Sequence, residues 1–266
     1  MECKQVEYFI NVIFILIIYK IRISSSSCKC SGSTIDCSRL KLTRMTWSNR
    51  EECNETLSTE KVVLDFSHNQ ISLTGERILP LEDVETIDLS YNNIDQLLGF
   101  GQSTLHSYLS NLVLSHNSIK SIKENDLQSL SSLKLLDVSY NRILCIEEGT
   151  FSFLFRLEYL DLSWNHLTTF AMHCPDSIEV LYFNNNRLHT FILEGTCNFK
   201  ELDLTSNNFS TFPETDDSWK GNIYFGGNPE VCKSLEERED VYTNIQCEIL
   251  VKFKAGNLKG RMVRSN

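Results

Sequence analysis

One arrangement of apolar and polar positions recurs along most of the chain. Two apolar residues flank a single, mostly polar residue, an asparagine follows three positions after the second, and another apolar residue comes two positions later. The alternation predicts a short β-strand with one buried face, and the apolar residue behind the asparagine returns to the same core. The copies lie at residues 64–71, 87–94, 112–119, 136–143, 160–167, 181–188, 202–209 and, in degenerate form, 223–228.

The asparagines set a nearly constant period. They are Asn69, Asn92, Asn117, Asn141, Asn165, Asn186, Asn207 and Asn228, and subtracting successive numbers gives spacings of 23, 25, 24, 24, 21, 21 and 21 residues. A period in this range predicts a solenoid, in which each coil buries its apolar face against its neighbours. An amide at that depth must be hydrogen-bonded, so we expect the asparagines to form a ladder along the coils.

The phrase L-x-x-L-x-L-x-x-N-x-L over residues 57–230 resembles the leucine-rich repeat family. The resemblance implies an α/β fold: a right-handed superhelix shaped like a horseshoe, with a parallel β-sheet on the concave face and cysteine-containing N- and C-terminal caps. The 24-residue units resemble the extracellular repeats of Toll-like receptor ectodomains and secreted insect immune proteins. The later 21-residue units leave little room for helix, so we expect an extended outer wall there.

The chain divides into five predicted segments. Residues 1–26 are predicted to be a signal peptide, because their apolar stretch at 8–19 would span about 18 Å as a helix, short of the roughly 30 Å core of a bilayer. An uncleaved anchor is the alternative. The other segments are an N-terminal cysteine cap at 27–56, eight leucine-rich repeats at 57–230, a C-terminal cap at 231–250 and a basic tail at 251–266.

The cysteines near the chain ends indicate an oxidising compartment. At the N-terminal end, four cysteines either bind zinc or form disulfides that cover the open end of the first coil. The C-x-C-x6-C spacing resembles the N-terminal cap of extracellular leucine-rich repeat proteins, and we expect the pairs Cys28–Cys37 and Cys30–Cys53. The N-P-x-x-C motif ending at Cys232 resembles the start of the C-terminal cap, where we expect a Cys232–Cys247 disulfide.

Three cysteines remain within the repeats. Cys145 lies between the core positions Ile143 and Ile146, so we expect it to face outward and to form an intermolecular disulfide that joins two chains. Cys174 and Cys197 fall at similar places in successive repeats. They either pair across the outer wall or remain as small buried apolar residues.

Two rows of residues are expected on the concave face, because strand residues that alternate with the core point away from it. One row contains mostly aspartates and the other mostly aromatic residues, which would suit a basic, partly apolar protein surface. The aspartates are also standard in these repeats whatever they bind. The candidate binding residues are Asp88, Tyr91, Val113, His116, Asp137, Tyr140, Tyr159, Asp161, Trp164, Tyr182 and Tyr224.

Charge and motifs narrow the function. The net charge of −10 argues against nucleic acid as a partner. The sequence contains no H-E-x-x-H, G-x-S-x-G or phosphate-binding G-x-x-x-x-G-K motif, so we expect no enzyme, cofactor or metal site. Sequons at Asn54 and Asn208 predict N-glycosylation of an exported protein.

Two functions fit this profile. The first is a secreted protein that binds another protein, or a microbial or cell-surface glycan, in innate immune or cell-surface recognition, without stable membrane insertion. The alternative is the ectodomain of a cell-surface adhesion or signalling receptor that lacks its membrane segment. The repeat pattern alone does not choose between them, because the same fold serves many ligands.

Overall fold

The main feature of the structure, a computed structural model, is one large β-sheet to which successive coils contribute neighbouring strands. The structure describes residues 28–45, 61–73, 84–97, 100, 108–213, 221–228 and the backbone of 252–254. The eleven strands of the sheet, in spatial order, are β1 (Lys29–Ser31), β2 (Thr34–Asp36), β3 (Val62–Asp65), β4 (Val84–Asp88), β5 (Asn111–Val113), β7 (Leu135–Asp137), β9 (Tyr159–Asp161), β11 (Val180–Tyr182), β13 (Glu201–Asp203), β14 (Asn222–Tyr224) and β15 (Lys252–Lys254).

Neighbouring strands from β2 to β14 are parallel, and they align equivalent residues of consecutive coils. For example, Leu160 lies opposite Leu136 on one side and Leu181 on the other. Antiparallel pairs close the sheet at its two ends, between β1 and β2 and between β14 and β15. A parallel sheet built coil by coil is the solenoid that the period predicts, so the predicted fold class is confirmed.

The opposite wall of the solenoid is mostly extended. Two further parallel pairs lie there, β6 (Ser121–Ile122) with β8 (Cys145–Ile146) and β10 (Thr169–His173) with β12 (Thr190–Glu194). The α-helix of the described residues is one short turn, α1 (Glu124–Leu127). The 21-residue coils have an extended outer wall, as predicted. Within the described ranges, none of the helices has the length and apolar character needed to cross a lipid bilayer.

The predicted asparagine ladder runs through the core and is confirmed. Asn165, 4% exposed, is typical of its members. Its amide Nδ2 donates to the carbonyl of Leu162 in its own coil at 3.1 Å and to that of Val138 in the preceding coil at 3.0 Å. Its Oδ1 accepts the N–H of Ile143 at 2.9 Å. Each rung therefore satisfies backbone groups of two coils that the apolar core would otherwise leave unpaired.

The N-terminal cap continues this core. Ile35 and Cys37 are buried beside the first repeat, and a disulfide joins Cys28 to Cys37. The zinc alternative therefore does not apply to these two cysteines. Cys30 is also disulfide-bonded, whereas its expected partner Cys53 lies outside the described residues. The expected Cys232–Cys247 disulfide lies outside them too.

The three cysteines within the repeats have two different fates. Cys174 and Cys197 form a disulfide with their Cα atoms 5.5 Å apart, which links the ends of β10 and β12. Both side chains are buried, so the disulfide fills core space as well as cross-linking two coils. Cys145 is exposed and carries a free thiol. The open alternative for Cys174 and Cys197 is thus resolved in favour of pairing.

Gly221 is required by a close approach between coils. Its φ is +130°, and a Cβ built there would clash with the carbonyl oxygen of Phe199. We expect Gly221→Ala to lower the free energy of unfolding by about 3 kcal/mol, because backbone on both sides must move. Urea denaturation followed by circular dichroism measures the change.

The matched control is Gly32→Ala, which shares a positive φ of +58° but meets no atom within 4 Å. Its expected loss is about 1 kcal/mol, from the left-handed conformation alone. Equal losses in the two variants would show that the approach to Phe199 is not what requires glycine.

Candidate binding surface

The face of the large sheet that points away from the core, which we call the strand face, carries both predicted rows of residues. In the central strands the middle residue is buried and its neighbours are half-buried. The strand row, the last residue of each strand from β3 to β14, is half-buried throughout. Its members are Asp65, Asp88, Val113, Asp137, Asp161, Tyr182, Asp203 and Tyr224.

The aspartates of the strand row have a structural role that the sequence did not reveal. In each, Oδ1 accepts the backbone N–H two residues later, at 2.8 Å for Asp88 and Ser90 and at 2.9 Å for Asp137 and Ser139. Asp65, Asp161 and Asp203 make the same bond. Such a bond turns the chain out of the strand. The aspartates thus support the turn whatever the surface binds, although the coils of Val113, Tyr182 and Tyr224 turn without one. The turn bond occupies only one carboxylate oxygen.

The second row, which we call the turn row, has an unusual backbone. Its members precede the ladder asparagines, and all have positive φ, from +51° to +69°. From His68 to Ser206, their N–H groups donate to the next coil, as Tyr91 does to the carbonyl of Ser115 at 3.0 Å. Most residue types adopt this left-handed conformation at a cost. The row consists of His68, Tyr91, His116, Tyr140, Trp164, Asn185, Ser206 and Gly227.

Five consecutive members of the turn row form one continuous stack of rings, which we call the aromatic ladder: His68, Tyr91, His116, Tyr140 and Trp164. Successive ring centroids lie 4.3, 4.1, 4.2 and 5.1 Å apart, with interplanar angles of 10–12°. Tyr91, Tyr140 and Trp164 remain 45%, 43% and 47% exposed. The ladder is therefore a continuous stripe of stacked, partly exposed rings along the solenoid.

A second group, which we call the acid–tyrosine cluster, lies in the strands of the later coils. Tyr159 and Tyr182 meet edge to face at 5.6 Å. The hydroxyl of Tyr159 donates to Asp161 Oδ2 at 3.4 Å, and that of Tyr182 donates to Glu201 Oε1 at 3.3 Å. Burial and the neighbouring carboxylates raise the pKa of both tyrosines, so both remain donors at neutral pH.

The surroundings of Asp161 disfavour its charged form. Burial, with a smaller contribution from the Asp137 carboxylate, raises its pKa above the ordinary 3.8. Because the folded chain binds this proton more tightly than the unfolded chain, the contribution of Asp161 to stability falls as the pH rises through the interval between the two pKa values.

We therefore expect Asp161→Asn to be more stable than the wild type at pH 7, with the gain lost on acidification to about pH 3. The amide keeps an oxygen to accept the Ser163 N–H but carries no charge to desolvate. Urea denaturation at the two pH values measures the difference. Asp88→Asn, outside the cluster, is the control, and an Asp161→Asn variant less stable than the wild type at pH 7 would contradict the argument.

All eleven candidate binding residues lie on the strand face, and their role in binding stays a prediction. The sequence analysis did not identify Glu201. This residue accepts a hydrogen bond from Tyr182 because β11 and β13 are neighbours in the sheet. The ring stacking was also missed, because a repeat pattern does not specify side-chain orientation. Of the two sequons, Asn208 is exposed beside the turn row, and Asn54 lies outside the described residues.

Comparison with known proteins agrees with this geometry. Residues 107–167 match the family model described as "Leucine rich repeat". The solved leucine-rich repeat domain of APL1B matches with a TM-score of 0.55 at 18% identity, over 83% of this chain and 59% of that one. The chain is therefore a leucine-rich repeat solenoid in its fold. The finer resemblance to Toll-like receptors and insect immune proteins stays a prediction.

Two curated human relatives share part of the chain. "Leucine-rich repeats and immunoglobulin-like domains protein 2" is 33% identical over 111 residues, which are 42% of this chain and 10% of that protein. "Leucine-rich repeats and immunoglobulin-like domains protein 3" is 28% identical over 114 residues, 42% of this chain and 9% of that protein. The matched segments thus span about a tenth of either relative.

Proposed function

We propose that this chain is an extracellular recognition module that binds another protein through the strand face. The observation that carries the proposal is the exposed aromatic ladder beside a row of carboxylates. Repeat solenoids present extended surfaces of this kind to their partners. Tyrosine and tryptophan are enriched among the residues that contribute most to protein–protein affinity.

The chain itself supports a binding role for the ladder. Asn185, Ser206 and Gly227 occupy the turn row in the later coils with the same left-handed backbone. The fold therefore accepts small and polar residues there and does not require rings. Stacking of the rings contributes to stability, but it does not explain why large aromatic side chains are exposed to solvent, as they are at binding surfaces.

An extracellular location is part of the proposal. The Cys28–Cys37 and Cys174–Cys197 disulfides support it, because such bonds persist in oxidising compartments. A secreted protein, with a role in innate immune recognition, is one form. The ectodomain of a cell-surface adhesion or signalling receptor is the other. Fractionation of expressing cells separates them, since the first predicts protein in the medium and the second predicts carbonate-resistant membrane association.

The binding proposal is tested by capture from conditioned medium or cell-surface extract on the immobilised chain. The wild type is compared with a Tyr91→Ser/Tyr140→Ser variant and with Ile192→Ser, which alters an exposed residue of β12 on the opposite wall. We expect one partner to bind the wild type and Ile192→Ser, and to bind the double variant about tenfold or more weakly.

Equal binding of that partner to the double variant would exclude the strand face. Glycosidase treatment of the partner decides between protein and glycan, because loss of binding after treatment would favour the microbial or cell-surface glycan that the sequence also allows.

We also propose that Cys145 joins two chains by a disulfide. Among the described cysteines it alone has a free thiol, and it is exposed. A non-reducing gel should show a dimer for the wild type and a monomer for Cys145→Ser. A monomer for both would remove the proposal.

We also propose that Asn208, whose side chain is exposed, is glycosylated. An unmodified Asn208 in the mass spectrum of the exported protein would exclude this.

A further inference from the structure

The ladder offers a partner ring edges rather than ring faces along most of its length. Tyr91, His116 and Tyr140 each have a stacked ring on both sides, at centroid distances between 4.1 and 5.1 Å. A sugar ring binds an aromatic side chain by laying its C–H groups on the electron-rich face. These three rings have no free face for such a contact, which favours a polypeptide over a glycan as the partner.

Trp164 ends the ladder and differs from the inner rings. Tyr140 covers one face of the indole, and among the described residues no second ring stacks on the other. The following members of the turn row are the smaller Asn185, Ser206 and Gly227. The second face of the indole is thus not covered by a ring, and Trp164 is 47% exposed.

The opposite end of the ladder shows which group the chain itself places in line with the rings. Arg39 occupies the equivalent of the turn row in the N-terminal cap, with a φ of +56° and its N–H donated to the carbonyl of Ser67 at 3.1 Å. It thus precedes His68 in register. In this register an arginine is followed by five rings, of which Trp164 is the last, and the next member of the turn row is Asn185 rather than a second cation.

On the strand side, the charges around Trp164 favour a cation. The exposed Arg142 and Arg187 lie two residues past the turn row in the two adjacent coils. The described strands β3 to β14 carry on the strand face the five aspartates of the strand row and Glu201, and neither lysine nor arginine. Asp161 lies three residues before Trp164, at the end of β9. The nearby lysines Lys134 and Lys200 precede their strands and are already paired with Glu158 and Glu179.

We propose that the open face of Trp164, with the carboxylates of the later coils, binds an arginine side chain of the protein partner. The inference rests on the proposed function and names the chemistry of the bound group. Tryptophan is the strongest aromatic binder of cations. Arginine suits the site better than lysine, because its guanidinium is flat, stacks on rings, is weakly hydrated and pairs with carboxylates through several donors.

The subsite is tested with short blocked peptides that are identical except for one central arginine, lysine or glutamate. The indole N–H signals of the ¹⁵N-labelled chain report binding, with Trp164→Phe used to assign the signal and Trp47 and Trp219 as internal references. We expect the arginine peptide to shift the Trp164 signal saturably, at least about threefold more tightly than the lysine peptide. Asp161→Asn should weaken this binding, and the glutamate peptide should leave the signal unmoved.

An unmoved Trp164 signal, or equal affinities for the arginine and lysine peptides, would overturn the inference. The captured partner separates this failure from failure of the proposed function. A partner that binds Trp164→Leu as well as the wild type, yet not the Tyr91→Ser/Tyr140→Ser variant, contradicts the arginine subsite alone. A partner that binds all variants equally contradicts the strand face itself.

Discussion

Replacing Asn165 by alanine is expected to lower the free energy of unfolding by about 4 kcal/mol. The change removes the Nδ2 donor from the carbonyls of Val138 and Leu162 and the Oδ1 acceptor from the N–H of Ile143. The buried Ile143 N–H is left unpaired, which costs roughly 1–3 kcal/mol. The two carbonyls keep Asn141 and Asn186 as donors, and each loses one of its hydrogen bonds, at about 1 kcal/mol apiece. The side chain is 4% exposed in the middle of the array, so water replaces it poorly. Urea denaturation measures the loss.

Asn93→Ala is the matched control for this experiment. Asn93 follows a ladder asparagine directly but is exposed, and its backbone N–H bond to Ile71 survives the substitution. The expected change is within about 0.5 kcal/mol. Similar losses at both positions would mean that the ladder contributes no more than a surface amide.

The second large effect is expected from the disulfide between Cys174 and Cys197. Its cysteines are separated by 23 positions in the sequence, so by the chain-entropy estimate the bond stabilises the fold by about 3.5 kcal/mol through restriction of the unfolded chain. Replacing both cysteines by alanine should remove that stabilisation and also loosen the pairing of β10 with β12, which ends beside the bond. Thermal unfolding and urea denaturation should both register the loss.

Cys145→Ala controls for the loss of a cysteine as such. Its thiol is exposed and free, so we expect the free energy of unfolding to change by no more than about 0.5 kcal/mol. The two proteins are compared as monomers and without reducing agent. A double variant as stable as the wild type would show that the packing of the outer wall does not depend on the cross-link.

The sequence predicted most of the fold, because the periodic part of the pattern is also the part that determines the core. The spacing of Asn69 through Asn228 predicts the number and order of the coils that share the ladder, and these residues make the expected bonds. The pairing of Cys174 with Cys197 stayed open, because two cysteines at similar places in neighbouring coils fit either a bond or separate burial. Only the distance between coils decides it.

The candidate surface was predicted less completely than the fold. Its rows follow from alternation along the strands, so the placement of Asp161 or Trp164 on one face was predictable. The bond from each aspartate to the N–H two residues on, and the stacking of His68 on Tyr91, depend on rotamers and on the left-handed turn. A repeat pattern contains no information about either. The two rows thus differ: the aspartates of the strand row make a hydrogen bond that supports the turn, whereas the rings of the turn row make none.

The ladder combines stability with exposure, which complicates mutational tests of binding. Each stacked pair contributes about 0.5–1.5 kcal/mol beyond its buried area. A substitution at Tyr140 therefore lowers stability as well as any affinity for a partner. A measurement on the wild-type chain avoids this difficulty.

Hydroxyl-radical footprinting of the unaltered chain, alone and bound to its captured partner, is the most direct test of the strand face as the binding surface. Exposed side chains report on both sides of the solenoid: Tyr91, Tyr140 and Trp164 on the strand face, and Leu144 and Ile192 away from it. The account predicts that the partner slows oxidation of the first three and leaves the other two unchanged. Protection of Leu144 and Ile192, with Tyr91, Tyr140 and Trp164 oxidised as in the free chain, would contradict it.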